Sequence, residues 1–311
     1  MSKHVSVLLH EAIDSLNVRE NGIYLDLTLG RGGHSKEILK RLKEGHLYAF
    51  DKDEEAIDES KKNLSEFSDH LTIIRDDFRN FRQNLDKLGI KGVDGVLLDL
   101  GVSSPQFDEG NRGFSYRENS RLDMRMDTRQ KLTAYDVVNT YSIQELTRIF
   151  REYGEDKYSY QIARKIIEKR QQKPVETTLE LVEIIKQSKP QKELAKKGHP
   201  AKQIFQALRI EVNDELGALK DALKDALEVL NVGGRIVVIT FHSLEDRIVK
   251  QMFQKVTKID GTRRNVYALP SEKDEPDYRL VNKKVIIPSL EEQEENPRSK
   301  SAKLRAIERI K

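Results

Sequence analysis

The sequence predicts an α/β fold, a parallel sheet covered by helices on both faces and interrupted by an inserted small all-helical domain. Three observations carry this. Over residues 23–99, short apolar runs ending in acids alternate four times with stretches of helical periodicity. Such alternation implies parallel strands joined by right-handed crossovers. From about Arg112 to Pro200 no strand pattern occurs, a span far beyond the ~12–15 residues a structureless loop normally reaches. Apolar strand patterning then returns near Arg235.

In chain order, Leu8, Leu9, Ala12, Ile13 and Leu16 mark an N-terminal helix, and Ile23–Leu29 is the first expected strand. Gly30-Arg31-Gly32-Gly33-His34 then forms a turn opening a helix over 35–42, because glycines permit positive φ and a close approach to the backbone. Strands follow at 46–50, ending at Asp51, at 71–74, ending in Asp76-Asp77-Phe78, and at 93–98, ending at Asp99. Each is followed by an apolar helical stripe. The insertion carries only short helical patterns, such as Ile143/Leu146/Ile149/Phe150, and exits through Lys196-Lys197-Gly198-His199-Pro200. These limits predict a discontinuous core of residues 1–111 and 201–311 around a helical domain of 112–200. In the second half of the core, a long amphipathic stretch runs from Ile204 to Leu230 and Gly233-Gly234 stops it. A fifth strand at 235–241 leads into a helix with Ser243 as the expected cap. Strands at 284–287 and 304–310 are expected to close the sheet.

Composition narrows the function. The 311 residues are 37% hydrophobic and 34% charged, with no cysteine, which fits a heavily charged globular protein. The lack of cysteine excludes disulfides, thiolate metal sites and a cysteine nucleophile and points to the cytoplasm. No apolar run approaches the ~20 residues of a membrane span, and no metal site is expected. The net charge is only +3, yet the charge is uneven. Residues 157–202 hold twelve Lys/Arg against five Glu, and 298–311 hold six against one. Basic blocks on a balanced protein suggest a polyanionic partner.

The strand ends indicate the chemistry, since ligands of open α/β sheets sit outside the carboxyl ends of the strands. Asp51, twenty-one residues after Gly30, is placed to accept from ribose hydroxyls. Asp77 and Phe78 suit an adenine amino group and ring face. Asp99, followed by Gly101-Val102-Ser103-Ser104-Pro105-Gln106-Phe107, fits methyl transfer better than hydride transfer, because a carboxylate there faces a cationic sulfonium and a substrate amine. Ser104-Pro105-Gln106-Phe107 resembles a degenerate form of the loop of methyltransferases that act on exocyclic amines of bases. Such an amine is a poor nucleophile. Carbonyls and a carboxylate accepting its protons localise its lone pair and stabilise the charge that develops, and in-line positioning supplies ~7–11 kcal/mol more.

Longer strings then carry a specific resemblance. They include His4-Val5-Ser6-Val7-Leu8-Leu9, Thr28–Ser35, Leu98–Gln106, Arg112-Gly113-Phe114-Ser115, Leu122–Asp127, Phe205–Ile210, Phe241–Arg247 and Asn296-Pro297-Arg298. Together they resemble the bacterial small-subunit ribosomal RNA cytosine-N4-methyltransferases (the MraW/RsmH family), over about residues 4–309. The resemblance implies a class I, Rossmann-like S-adenosylmethionine-dependent methyltransferase. Its expected target is a cytosine in the decoding region of 16S ribosomal RNA, as naked RNA or small subunit, methylated by direct in-line attack of the amine. Carried over by position, it implies cofactor contacts at Gly32, Gly33, His34, Asp51, Phe78, Asp99 and Gln106, with Asp99, Ser104 and Pro105 catalytic. Phe107, Arg125, His242 and Arg298 are expected on the substrate side, with Lys300, Lys303 and Arg305 beside Arg298. His242 either lines that side or caps the next helix. The competing readings are a non-catalytic RNA-binding or ribosome-assembly protein, a DNA amino-methyltransferase and a nicotinamide-dependent oxidoreductase.

Overall fold

The computed structural model describes residues 6–101, 112–258 and 275–311. The chain divides into two compact units, one of residues 1–101 with 217–311 and the other of residues 102–216.

The first unit holds a seven-stranded sheet. Helix α1 (Leu9–Leu16) precedes β1 (Ile23–Asp26), α2 (Gly33–Leu39), β2 (His46–Asp51), α3 (Glu54–Asn63), β3 (Leu71–Arg75), α4 (Phe81–Lys87) and β4 (Val93–Asp99). The spatial order is β3-β2-β1-β4, then β5 (Leu230–Thr240), β7 (Lys303–Arg309) and the short edge strand β6 (Tyr278–Leu280). The first five strands are parallel, β7 is antiparallel to β5, and β6 is antiparallel to β7. The order runs outward in both directions from β1 and β4, so their carboxyl ends flank a topological switch point. This is the Rossmann-like α/β fold expected.

Burial on both faces explains the near-continuous apolar strands. One face packs Leu25, Leu27, Val96, Leu98, Ile236 and Val238 against Leu219 and Leu223 of α11 (Glu215–Val229) and Phe253 of α12 (Ser243–Val256). The other packs Tyr24, Leu47, Ala49, Leu97, Val237 and Ile239 against α1 and α2.

The second unit is helical, with α5 (Ala134–Thr140), α6 (Ile143–Glu152), α7 (Ser159–Arg170), α8 (Thr178–Gln187), α9 (Gln191–Leu194) and α10 (Lys202–Asn213). Capping boxes start three of them: Thr133 with Asp136, Ser142 with Glu145, and Thr177 with Glu180. Each satisfies N–H groups that the first helical turn leaves unpaired. Leu146, Ile149, Phe150, Ile162, Ile166, Leu181 and Ile185 form a separate core.

Several expectations shift. Helix α10, assigned from sequence to the core at 201–311, buries Ile204, Phe205 and Leu208 in the helical unit, so that unit extends to residue 216 rather than 200. The long amphipathic stretch is two helices, broken where Asp214 adopts φ +47. Gly233-Gly234 stops no helix; it lies inside β5, where Gly233 takes φ +79 beside a register shift against β4. The expected strand at 284–287 is an isolated bridge, Ile286 to Leu304, and β6 forms upstream instead. Among the described residues, no helix is long and apolar enough to cross a membrane.

Candidate functional site

The site grows from the end of β1. Beyond Asp26 the backbone stays pinned to both neighbours, with Leu27 N–H donating to Leu97 and Leu29 N–H to Phe50, each at 2.9 Å. The glycine turn follows, with Gly30 at φ +50 and Gly32 at φ +80. A Cβ on Gly32 would lie 2.8 Å from Leu64 Cδ1, and one on Gly33 would collide with the Ser6 hydroxyl. Gly32 is therefore required twice over, by conformation and by space.

Asp51 ties this turn to the second strand. Its Oδ2 accepts from Gly30 N–H and its Oδ1 from Asp53 N–H, both at 2.9 Å. A carboxylate offers about four acceptor sites, so both oxygens retain capacity for hydroxyl donors. The cap of α3 is Asp53. Burial raises the Asp51 carboxyl above its usual range against the two N–H donors, which lower it.

Asp26 is buried under the turn, accepting from the Ser35 hydroxyl at 2.7 Å and from Thr28 N–H at 3.1 Å. Burial nonetheless lifts its carboxyl to about 6. Thr28, which the sequence reading passed over, accepts the Asp99 N–H on Oγ1 at 2.6 Å and so fixes the end of β4 against the turn.

His34 and Asp99 form the centre. His34 Nε2 lies 3.1 Å from the Val7 carbonyl. A carbonyl only accepts, so Nε2 carries the proton, an assignment made from its partner. Burial lowers the imidazole pKa to about 4, leaving it neutral near pH 7 with a lone pair on Nδ1. That atom faces Asp99 Oδ2 at 3.6 Å. The other oxygen, Oδ1, is buried with no hydrogen-bond partner among the described residues. Burial pushes the Asp99 carboxyl well up, and the charges of Asp26 and Glu245 push it further. Facing a lone pair and two acids, Asp99 is the group that an incoming cation would most stabilise in its charged form. Glu245, expected only as a first-turn acid, thus belongs to the electrostatics of the site. Nothing in its local sequence signalled that.

Other expected residues have structural duties. Phe78 is half-buried against the sheet core after β3. Asp77, expected near an adenine amino group, accepts Arg79 N–H at 3.0 Å and pairs with Lys52 at 3.2 Å. His242 is the residue preceding α12, with Nε2 3.0 Å from Glu245 Oε1. The cap is therefore His242 rather than Ser243, and Glu245 closes it by accepting from Phe241 and His242 N–H. In the helical unit, Arg125 is held by Asp123 at 2.7 Å and by the carbonyls of Thr128 and Gln130. This packing holds the segment around Arg125 together and leaves its guanidinium little capacity for a substrate. Arg298 sits in an exposed turn at 297–301, and Lys303 and Arg305 both pair with Asp246. Ser104, Pro105, Gln106 and Phe107 lie outside the described residues.

A curated relative from Streptococcus dysgalactiae subsp. equisimilis, named ribosomal RNA small subunit methyltransferase H, is 55% identical over 99% of this chain and 98% of its own. A protein of the same name from Streptococcus mutans is 54% identical with the same coverage. Among solved structures, an rRNA methylase from Streptococcus thermophilus matches with TM-score 0.44 and 12% identity, over 99% of both chains. The family model described as the MraW methylase family matches residues 1–310, and the chain belongs to that family.

Proposed function

We propose that the protein methylates the exocyclic N4 of a cytosine in the decoding region of small-subunit ribosomal RNA, acting in the cytoplasm. Membership of a methylase family makes it a methyltransferase, and S-adenosylmethionine, when bound, supplies the activated methyl group. The observation that carries the reading is Asp99, a buried carboxyl beside a glycine turn whose Oδ1 has no hydrogen-bond partner among the described residues. Its setting fits a sulfonium-bearing ligand in two further ways. The turn at Gly32 and Gly33 leaves no room for side chains, which keeps this strand end to bare backbone. Asp51 presents acceptor capacity at the neighbouring strand end, as ribose hydroxyls require.

On this reading Gly32, Gly33 and His34 hold the amino-acid end, Asp51 the ribose, and Phe78 and Gln106 the base. Asp99, with Ser104 and Pro105, accepts the protons of the target amine, which concentrates its lone pair for attack. Thr28 Oγ1 holds the Asp99 backbone at this strand end, while the Val7 carbonyl fixes the His34 tautomer. The cytosine must be drawn from its stack to reach such a site. Phe107, His242 and Arg298 are assigned to the substrate side, and the helical unit to substrate recognition.

The test is methyl transfer from labelled S-adenosylmethionine to small subunits and to naked ribosomal RNA, with nucleoside analysis. Label in N4-methylcytidine is expected. Intact cofactor binding with no methylated nucleoside on either substrate would overturn the reading and favour a non-catalytic assembly role. Asp99→Ala, which should abolish turnover, separates the two in cells.

A further inference from the structure

One cluster in the helical unit plays no part in the site above. The rings of Tyr116 and His199 stack with centroids 4.3 Å apart and planes 16° from parallel. Phe205 supports Tyr116 edge-on at 5.8 Å, and Phe205 is itself buried in the unit's core. The ring pair is therefore anchored from below, while His199 and Tyr116 remain half-exposed. The guanidinium of Arg117 lies over the Tyr116 ring, 6.0 Å from its centroid.

The polar atoms are oriented too. His199 Nδ1 accepts the Ala201 N–H at 3.2 Å, so the neutral ring carries its proton on Nε2. That Nε2–H has no partner among the described residues. Burial and the charges of Lys186 and Arg117 lower the pKa of His199, which places both cations close to the ring. Arg117 and Lys197 are exposed and form no ion pair among the described residues. Several other cations of the unit are paired, Lys157 and Lys196 with Glu193, Lys165 with Glu168 and Lys173 with Glu180. A supported aromatic pair carrying one free N–H donor and unpaired cations matches what single-stranded RNA presents, a π-face next to a phosphate.

We infer that Tyr116, Arg117 and His199 form a docking site for a single-stranded segment of the RNA substrate. The phosphate lies against Arg117 and His199 Nε2–H, and a base lies against the ring pair. The inference rests on the proposed RNA substrate and adds where the helical unit grips it.

The experiment uses the full chain and small-subunit ribosomal RNA in two forms, naked and assembled. The variants are Arg117→Ala and His199→Asn, the latter keeping an acceptor for the Ala201 N–H while deleting the ring and Nε2–H. Lys165→Ala, a paired cation elsewhere on the unit, serves as control. Each variant should bind S-adenosylmethionine and melt like the parent. Arg117→Ala should flatten the dependence of log affinity on log salt by about 0.7, the contribution of one single-strand phosphate. His199→Asn should raise the KM for naked RNA on the order of tenfold, the loss of one stacked base, with kcat unchanged at saturating RNA. Parental KM and salt slope in both variants, with the parent active, would overturn this site while leaving the methyltransferase reading intact. A defect confined to assembled subunits would overturn it in favour of a protein contact. Failure of the parent itself to bind or methylate RNA would instead remove the underlying reading.

Discussion

His34→Gln gives the sharpest test of the site's electrostatics, because Gln keeps a donor for the Val7 carbonyl and removes the titrating ring. The imidazole pKa is lowered to about 4 in the folded chain, against about 6.5 when unfolded. As pH falls through that window the unfolded chain takes up a proton first, so the native state loses stability between pH 6.5 and 4. Asp26 works in the opposite sense. Its carboxyl is raised to about 6, so on acidification the folded chain binds its proton first and gains stability over nearly the same range. Each contribution is roughly 3 kcal/mol at about 1.4 kcal/mol per pH unit, and in the parent they nearly cancel. The substitution removes only the imidazole term. Urea unfolding at half-unit steps from pH 7.5 to 4.5, read through the amide protection of β1 and α2, should show the difference between parent and variant. It should be constant above pH 6.5 and then move against the parent by roughly 2–3 kcal/mol by pH 4.5. Parallel curves throughout would refute the reasoning and would mean that His34 titrates alike in the folded and unfolded chain, whereas a charged partner of Asp99 would move the difference in the parent's favour.

Four further outcomes are expected. Gly32→Ala should destabilise the first unit by about 2–4 kcal/mol, combining left-handed backbone strain with the Leu64 overlap. Denaturant midpoints measure it, and Leu64→Ala in the same chain should recover the overlap part alone. Asp51→Asn turns an amide donor toward the N–H of Gly30 or Asp53, and should weaken S-adenosylmethionine binding on the order of tenfold or more by calorimetry. Asn213, buried between the Met126 N–H and the carbonyls of Met124 and Arg209, should cost about 2–4 kcal/mol when replaced by Ala. Faster hydrogen exchange at the Met126 amide should accompany it. Lys189→Met leaves Asp156 buried without its cation and should cost roughly 3–5 kcal/mol, while adding Asp156→Asn should return part of that.

The sequence by itself determined the alternation of β1–β4 with their helices, because strands buried on both faces must be almost wholly apolar and their carboxyl ends must collect the polar residues. It also determined the glycine turn and the acids Asp51 and Asp99, since φ and charge at such positions tolerate few substitutes. Family membership was legible in the same strings. Boundaries that depend on competing partners were not legible. Helix α10 has the apolar stripe of a core helix, and only the contacts of Ile204, Phe205 and Leu208 decide which core receives it. Gly233-Gly234 reads as a helix stop locally, yet the pairing of Leu230 and Arg235 with β4 on either side holds it in a strand. The ion pair of Asp77 with Lys52, distant in sequence, was likewise decided only in the fold. The tautomer of His34, the anchor that Thr28 gives Asp99, and the pressure of Glu245 on that carboxyl were decided only by the tertiary structure. Each joins atoms from strand ends that the sequence orders but does not bring together.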